Sequence, residues 1–211
     1  MNALVSRSIK SGQVIDLFST KGMGRPDIGI LDDTFLEGMK NLPQKNLSYE
    51  LLKKLVNGEI KGYRSRNIVK AKKFSEMLES AIRKYHNHAI DTARVIEELI
   101  DLAKKIKKDK TQHNALGLSD EELAFYDALG DNESARNLMS DVTLQQIAKE
   151  LTQAIRANLT VDWAVRSSVQ AKMRTAVKKL LKKYKYPPDQ TAHAVDVVLE
   201  QTKLMCQNES N

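Results

Sequence analysis

A single cysteine, Cys206, stands in a chain of 211 residues. No intramolecular disulfide can form and no CxxC redox pair exists, which points to a reducing compartment, the cytoplasm. Four prolines, nine glycines and 5% aromatic residues are lean for a β-sandwich or barrel, whose strands and turns draw on those types, and suit a helical chain. No apolar run approaches the roughly 18 residues of a membrane span, and the apolar stretch behind Met1 is too short for a signal peptide. No membrane partner is therefore expected. Equally missing are a GxxxxGK[ST] loop, a GxGxxG turn, an HExxH helix and Cys/His pairs at zinc spacing, so no cofactor and no metal is assigned to the chain itself. Charge of one sign is not in great excess either. The 34 basic residues are interspersed with 27 acidic ones, and a net +7 permits contact with nucleic acid without demanding it.

What is present is helical periodicity, in a composition that is 41% hydrophobic. From Asn158 to Asp189 the chain reads as one amphipathic helix. Val165, Val169, Met173, Ala176, Val177, Leu180 and Tyr184 fall in one broad sector at 100° per residue, and Arg174, Lys178, Lys179, Lys182 and Lys185 fall mostly opposite. Thr160 is its expected N-cap and Pro187-Pro188 its stop. Asp162 and Arg166, spaced i, i+4 on the apolar side, form either a structural ion pair beside Trp163 or an arginine held for a phosphate. Between Tyr63 and Leu116 there is neither Gly nor Pro, and Leu78, Ile82, Tyr85, Ala89, Thr92, Ile96, Leu99, Ala103 and Ile106 alternate spacings of four and three. That is a heptad seam, and a continuous helix over about 67–109 would be roughly 65 Å long, so it must kink or project.

Around these, short helices are expected before residue 66, with Asn46 capping the one through Leu51 to Ile60. The run at 104–115 is expected to fray into a loop. Ser119 and Glu122 form a capping box for a helix through Phe125, the stretch 131–141 is the weakest point, and further helices run through Leu144 to Ala157 and onward from Asp189. The prediction is an all-α, multi-helix array. Residues 1–66 are short linking helices and 67–211 a helical domain.

Two patterns imitate active sites. Asp27 with Glu59 and Lys61 resembles the acidic pair and lysine of a Mg²⁺ nuclease, but Asp27 lies in a Gly-rich connection and Glu59 follows Gly58 near a helix end, where salt bridging is the plainer reading. Gly22-Met23-Gly24 has no strand before it and reads as a turn. The remaining candidate surface is basic: Lys61, Arg64, Arg66, Lys70, Lys72 and Lys73 in an acid-free run; Lys104 to Lys110; and Arg174, Lys178, Lys179, Lys182 and Lys183 in a second acid-free run. Such runs are either solvated helix faces or contacts to a phosphate backbone.

Taken in order, the segments LVSRSIKSGQVIDLF, PDIGIL, LPQKNLSYELLKKLVNGEIK, FSEMLESAIRKYHNHAI, VIEELIDLAKKIK, LGLSDEELAFYDAL, IAKELTQAIRANLTVDW and VKKLLKKYKYPPDQTAHAVDVVLEQTKLM resemble the C-terminal helical region of the R subunit, the motor and endonuclease subunit, of type I restriction-modification enzymes. The resemblance covers nearly the whole chain. It implies a longer parent in which a nuclease domain and two ATP-driven translocase domains, with their ATP and Mg²⁺, precede residue 1. It also implies a role in docking the R subunit onto the methyltransferase and specificity subunits beside the path of double-stranded DNA, while this piece alone is expected to have no catalytic activity. The residues leave two uses open, protein docking through the apolar seam and non-specific DNA contact through the basic faces at 61–73 and 170–186.

Overall fold

The computed structural model describes residues 33–158 and 166–209, and every regular element among them is a helix. The nine are α1 (Asp33–Asn41), α2 (Lys45–Arg64), α3 (Ile68–His86), α4 (Thr92–Leu116), α5 (Asp120–Gly130), α6 (Glu133–Leu138), α7 (Asp141–Asn158), α8 (Ser167–Lys183) and α9 (Thr191–Glu209). Most of their starts are written locally. The Asn67 side chain accepts from Lys70 N at 3.0 Å, Asp91 from Arg94 N at 2.8 Å, and Asn132 from Ser134 N at 2.8 Å. Ser119 and Glu122 close the expected capping box at 3.2 and 3.0 Å. The expected cap at Asn46 is not used: α2 starts at Lys45 behind Gln44, whose side chain makes no cap bond.

The single long helix expected over 67–109 is instead two helices. The chain turns at Asn87–Asp91, where His88 takes φ 54° and Asp91 opens α4. Contacts then pair Lys84 with Glu98 at one end and Lys70 with Asp109 at the other, so α3 and α4 run antiparallel. Tyr49 against Tyr85 and Tyr63 against Phe74 set α2 antiparallel to α3 in the same way. Apart from Ala89, which is exposed in the turn, the apolar residues spaced at three and four face inward on the two arms of this hairpin, and the stop rests on a left-handed histidine, a conformation that sequence pattern does not announce. On α4 the buried set is Val95, Ile96, Leu99, Ile100, Leu102, Ala103 and Ile106, an arc too wide for a two-stranded seam and suited to a helix packed on several neighbours. The run 104–115 does not fray. Buried Ile106 and the side chains of Asp109 and Lys110 hold α4 helical through to Leu116, and Gly117 ends it at φ 62°.

Two apolar cores result. The first joins α1 to α4 around Leu36, Leu52, Ile60, Phe74, Leu99 and Ile106. The second joins α5 to α9 around Phe125, Leu129, Ile147, Leu151, Val177 and Val198, and takes Val69 from the first turn of α3. The helix expected from Thr160 begins at Ser167, with Arg166 in extended conformation (φ −87°, ψ 111°) at its N-cap position. Helical i, i+4 geometry thus does not reach back through Arg166, while Thr160, Asp162 and Trp163 lie outside the described residues. The helix buries Met173, Val177 and Leu181, and ends at Lys183, four residues before Pro187.

Candidate functional surfaces

The basic run at 61–73 divides in the folded chain. Lys61 and Arg64 are exposed in the last turn of α2, where cations also answer the helix dipole. Arg66 is exposed and lies 3.5 Å from Asp120. Lys72 and Lys73 are exposed on α3. Lys70 is not on that surface. Its side chain is only 17% exposed and its ammonium reaches Asp109 and, at 3.4 Å, Asp127 Oδ1. Asp127 is itself buried and accepts from Asn67 Nδ2 at 2.7 Å, and Tyr63 OH donates to Asp109 Oδ2 at 3.0 Å. Burial first, then the Asp109 charge, pushes the Tyr63 phenol far above its ordinary pKa, so it stays a donor. Gln201, from α9, completes this junction: its Oε1 accepts from Ile68 N at 3.0 Å and its Nε2 donates to Arg66 O at 2.7 Å. The polar residues of the run thus tie the two cores together.

The run at 104–110 is similarly part-consumed. Lys107 lies 3.4 Å from Asp33 and Lys110 pairs with Glu59, which is 7% exposed. Glu59 therefore serves a helix-to-helix ion pair, and its supposed partner Asp27 lies outside the described residues. Among the described residues, no three carboxylate, histidine or cysteine side chains converge as a metal site would require.

On α8 the central Arg174 and the last residue, Lys183, are engaged, and the other lysines are open. Arg174 Nη1 lies 2.5 Å from Asp196 Oδ1, and Glu150 on α7 accepts from Lys183 at 2.8 Å and from Tyr184 OH at 2.5 Å. The hydrogen bond from Lys183, with that from Tyr184, holds the Glu150 carboxyl below its usual range, and the same contact raises Lys183. Between them Lys178, Lys179 and Lys182 are exposed, and Lys172, which the sequence reading passed over, joins them. Seven residues separate Lys172 from Lys179, a rotation that returns to the same face, so spacing alone could have found it. These two line a shallow groove of about 430 Å³ whose floor is Ala171, Thr175 and Ala176. The largest exposed apolar side chains among the described residues lie elsewhere, Leu138 (74% exposed) at the end of α6 and Val142 (72%) in the first turn of α7.

A family model described as "Type I restriction enzyme HindI endonuclease subunit-like, C-terminal" matches residues 1–208. The chain belongs to that family. It is 37% identical over 203 residues to the type I restriction enzyme HindI endonuclease subunit of Haemophilus influenzae, covering 96% of this chain and 19% of the relative. It is 34% identical over 184 residues to a putative type I restriction enzyme MjaIXP endonuclease subunit of Methanocaldococcus jannaschii, covering 87% of this chain and 18% of the relative. The chain thus spans about a fifth of the length of these curated relatives. No solved structure matches it. Among the described residues every regular element is a helix, as the sequence resemblance implied, and none of these helices is long and apolar enough to cross a membrane.

Proposed function

We propose that this region is an assembly module: it seats the ATP-dependent translocase and endonuclease subunit on the methyltransferase and specificity subunits, and makes a secondary, sequence-independent contact with double-stranded DNA. The relatives are called subunits, so an assembly surface is needed somewhere along them. On this reading ATP and Mg²⁺ are handled by other parts of the subunit. The apolar seam cannot be the docking surface, because Leu78, Ile96, Leu99 and Ile106 are all spent inside the first core. The observation that carries the docking reading is the exposed pair Leu138 and Val142, large apolar side chains left in water at one corner. Exposed apolar groups rimmed by polar ones are what a protein interface needs at its centre.

A second reading, a DNA-backbone module, is favoured by a different feature, the open lysines of α8. Lys178 and Lys182 are like charges at i, i+4, an arrangement that costs an isolated helix about 0.2–0.5 kcal/mol and is relieved by an anion. The two readings separate on one pair of titrations, against the methyltransferase core and against duplex DNA, each at two salt concentrations. Docking predicts salt-resistant binding to the core that Leu138→Asp with Val142→Asp abolishes. Tighter binding to DNA than to the core, falling steeply with salt and lost in Lys178→Ala/Lys179→Ala/Lys182→Ala, would overturn it in favour of the second reading.

A further inference from the structure

At the end of the first core, away from the junction, α2, the last turn of α3 and the start of α4 enclose a cleft of about 610 Å³. Its chemistry is one-sided. Two carboxylates, Glu50 and Asp91, and two phenols, Tyr49 and Tyr85, line it together with Thr92 and two histidines, His86 and His88, and no lysine or arginine does. The tyrosine rings stand 4.9 Å apart, and Tyr85 OH shares a 3.3 Å contact with Thr92. Tyr49 is only 4% exposed, yet its hydroxyl has no hydrogen-bond partner. A buried, unmatched hydroxyl costs stability, about 1–3 kcal/mol, and a phenylalanine would avoid that cost. Tyr49 lines the cleft, so a group seated there can reach this oxygen once it displaces what now covers it.

We propose that this cleft receives an arginine side chain presented by a partner protein. The incoming group must be cationic, because Glu50 and Asp91 repel a phosphate or a nucleic-acid backbone. The positive end of α4, which would otherwise attract an anion, is already answered by Asp91, whose Oδ1 accepts from Arg94 N at 2.8 Å. A planar guanidinium suits the cleft better than an ammonium. It stacks on a tyrosine face, carries five donors to spread over two carboxylates and a phenol oxygen, and sheds water more readily. The chain carries a stand-in for this chemistry: the Lys53 ammonium sits 5.3 Å from the Tyr49 ring centroid and 3.8 Å from Glu50 Oε1. That exposed, weak pair is what an arriving guanidinium would displace.

The proposal rests on the docking reading for its partner, but its test needs no partner. N-acetyl-arginine amide, its uncharged citrulline counterpart and inorganic phosphate are titrated separately into the ¹⁵N-labelled chain. Saturable shifts at Asn46, Tyr85 and Thr92 are expected with the arginine probe alone. Binding should weaken roughly tenfold in Glu50→Gln/Asp91→Asn, in which asparagine keeps the α4 cap while the charge goes. Lys53→Ala should tighten it. Tyr49→Phe should weaken binding while raising Tm, a pair of opposite changes that a purely structural tyrosine would not show. Equal binding of citrulline, binding of phosphate instead, or no saturable shift with arginine would each overturn the proposal. Failure of the methyltransferase titration would leave this result untouched.

Discussion

The ammonium of Lys70 lies between two carboxylates, Asp109 and Asp127, in a junction that is largely shielded from water. Removing one partner from a buried ionic group leaves charge uncompensated, so Lys70→Ala should destabilise the chain by about 3–5 kcal/mol in urea unfolding. Lys72→Ala, two residues on and exposed, should stay within about 0.5 kcal/mol. A loss under about 1 kcal/mol for Lys70→Ala would show the junction to be wet. The sequence offered no means of separating these two lysines, because what distinguishes them is a carboxylate 39 residues away and another on a different helix. Glu150 gives a second case. Its folded pKa is depressed, chiefly by Lys183, so its contribution to stability is present above its unfolded pKa and lost as the pH falls through the folded value. The Tm difference between the native chain and Glu150→Gln should therefore shrink as melts move from neutral pH to below the carboxylate range, and a difference independent of pH would remove the ion pair as its cause.

Among the elements, those whose ends are local were legible from sequence and those whose ends are tertiary were not. The Ser119–Glu122 capping box was readable because both partners lie within one turn. The persistence of α4 through 104–115 was not, since that polar run has little helical preference of its own beyond its lysines and is held by Ile106, by Asp109 with Tyr63 and Lys70, and by Lys110 with Glu59. The α3–α4 turn hid for the opposite reason: it has no glycine, and His88 accepts a left-handed backbone. Where the chain does spend a glycine, at Gly117, an added methyl would meet no atom within 4 Å. The whole cost of Gly117→Ala is then conformational, about 1–2 kcal/mol for an L-residue at φ 62°. Calorimetry showing no loss would mean that the C-terminal cap of α4 shifts to relieve it.

For the molecule as a whole, the resemblance read from ordered segments reached the right family and the all-helical class, yet it pointed to no surface residue. The α8 lysines were already candidates from their acid-free run, but Lys172 and the Leu138–Val142 corner emerged only from the folded surface. What makes one body of two cores is also a matter of packing. The apolar contribution of α3 to the second core is centred on Val69, and beside it the two halves meet through Asn67–Asp127, Lys70 and Gln201. Gln201 reaches Ile68 N and Arg66 O across 133 and 135 residues and is almost fully buried. Gln201→Ala would strand one backbone donor and one acceptor, at about 1–3 kcal/mol each, and would do so at the seam between cores rather than within either. Since each core keeps its own apolar centre, the loss should fall on their coupling. Native-state hydrogen exchange should then show α5, α7 and α9 opening at a different free energy from α2, α3 and α4, where the native chain opens both together. A uniform drop across all six helices would instead mean that the two cores unfold as one unit even without the glutamine, and that Val69 and its neighbours suffice to join them.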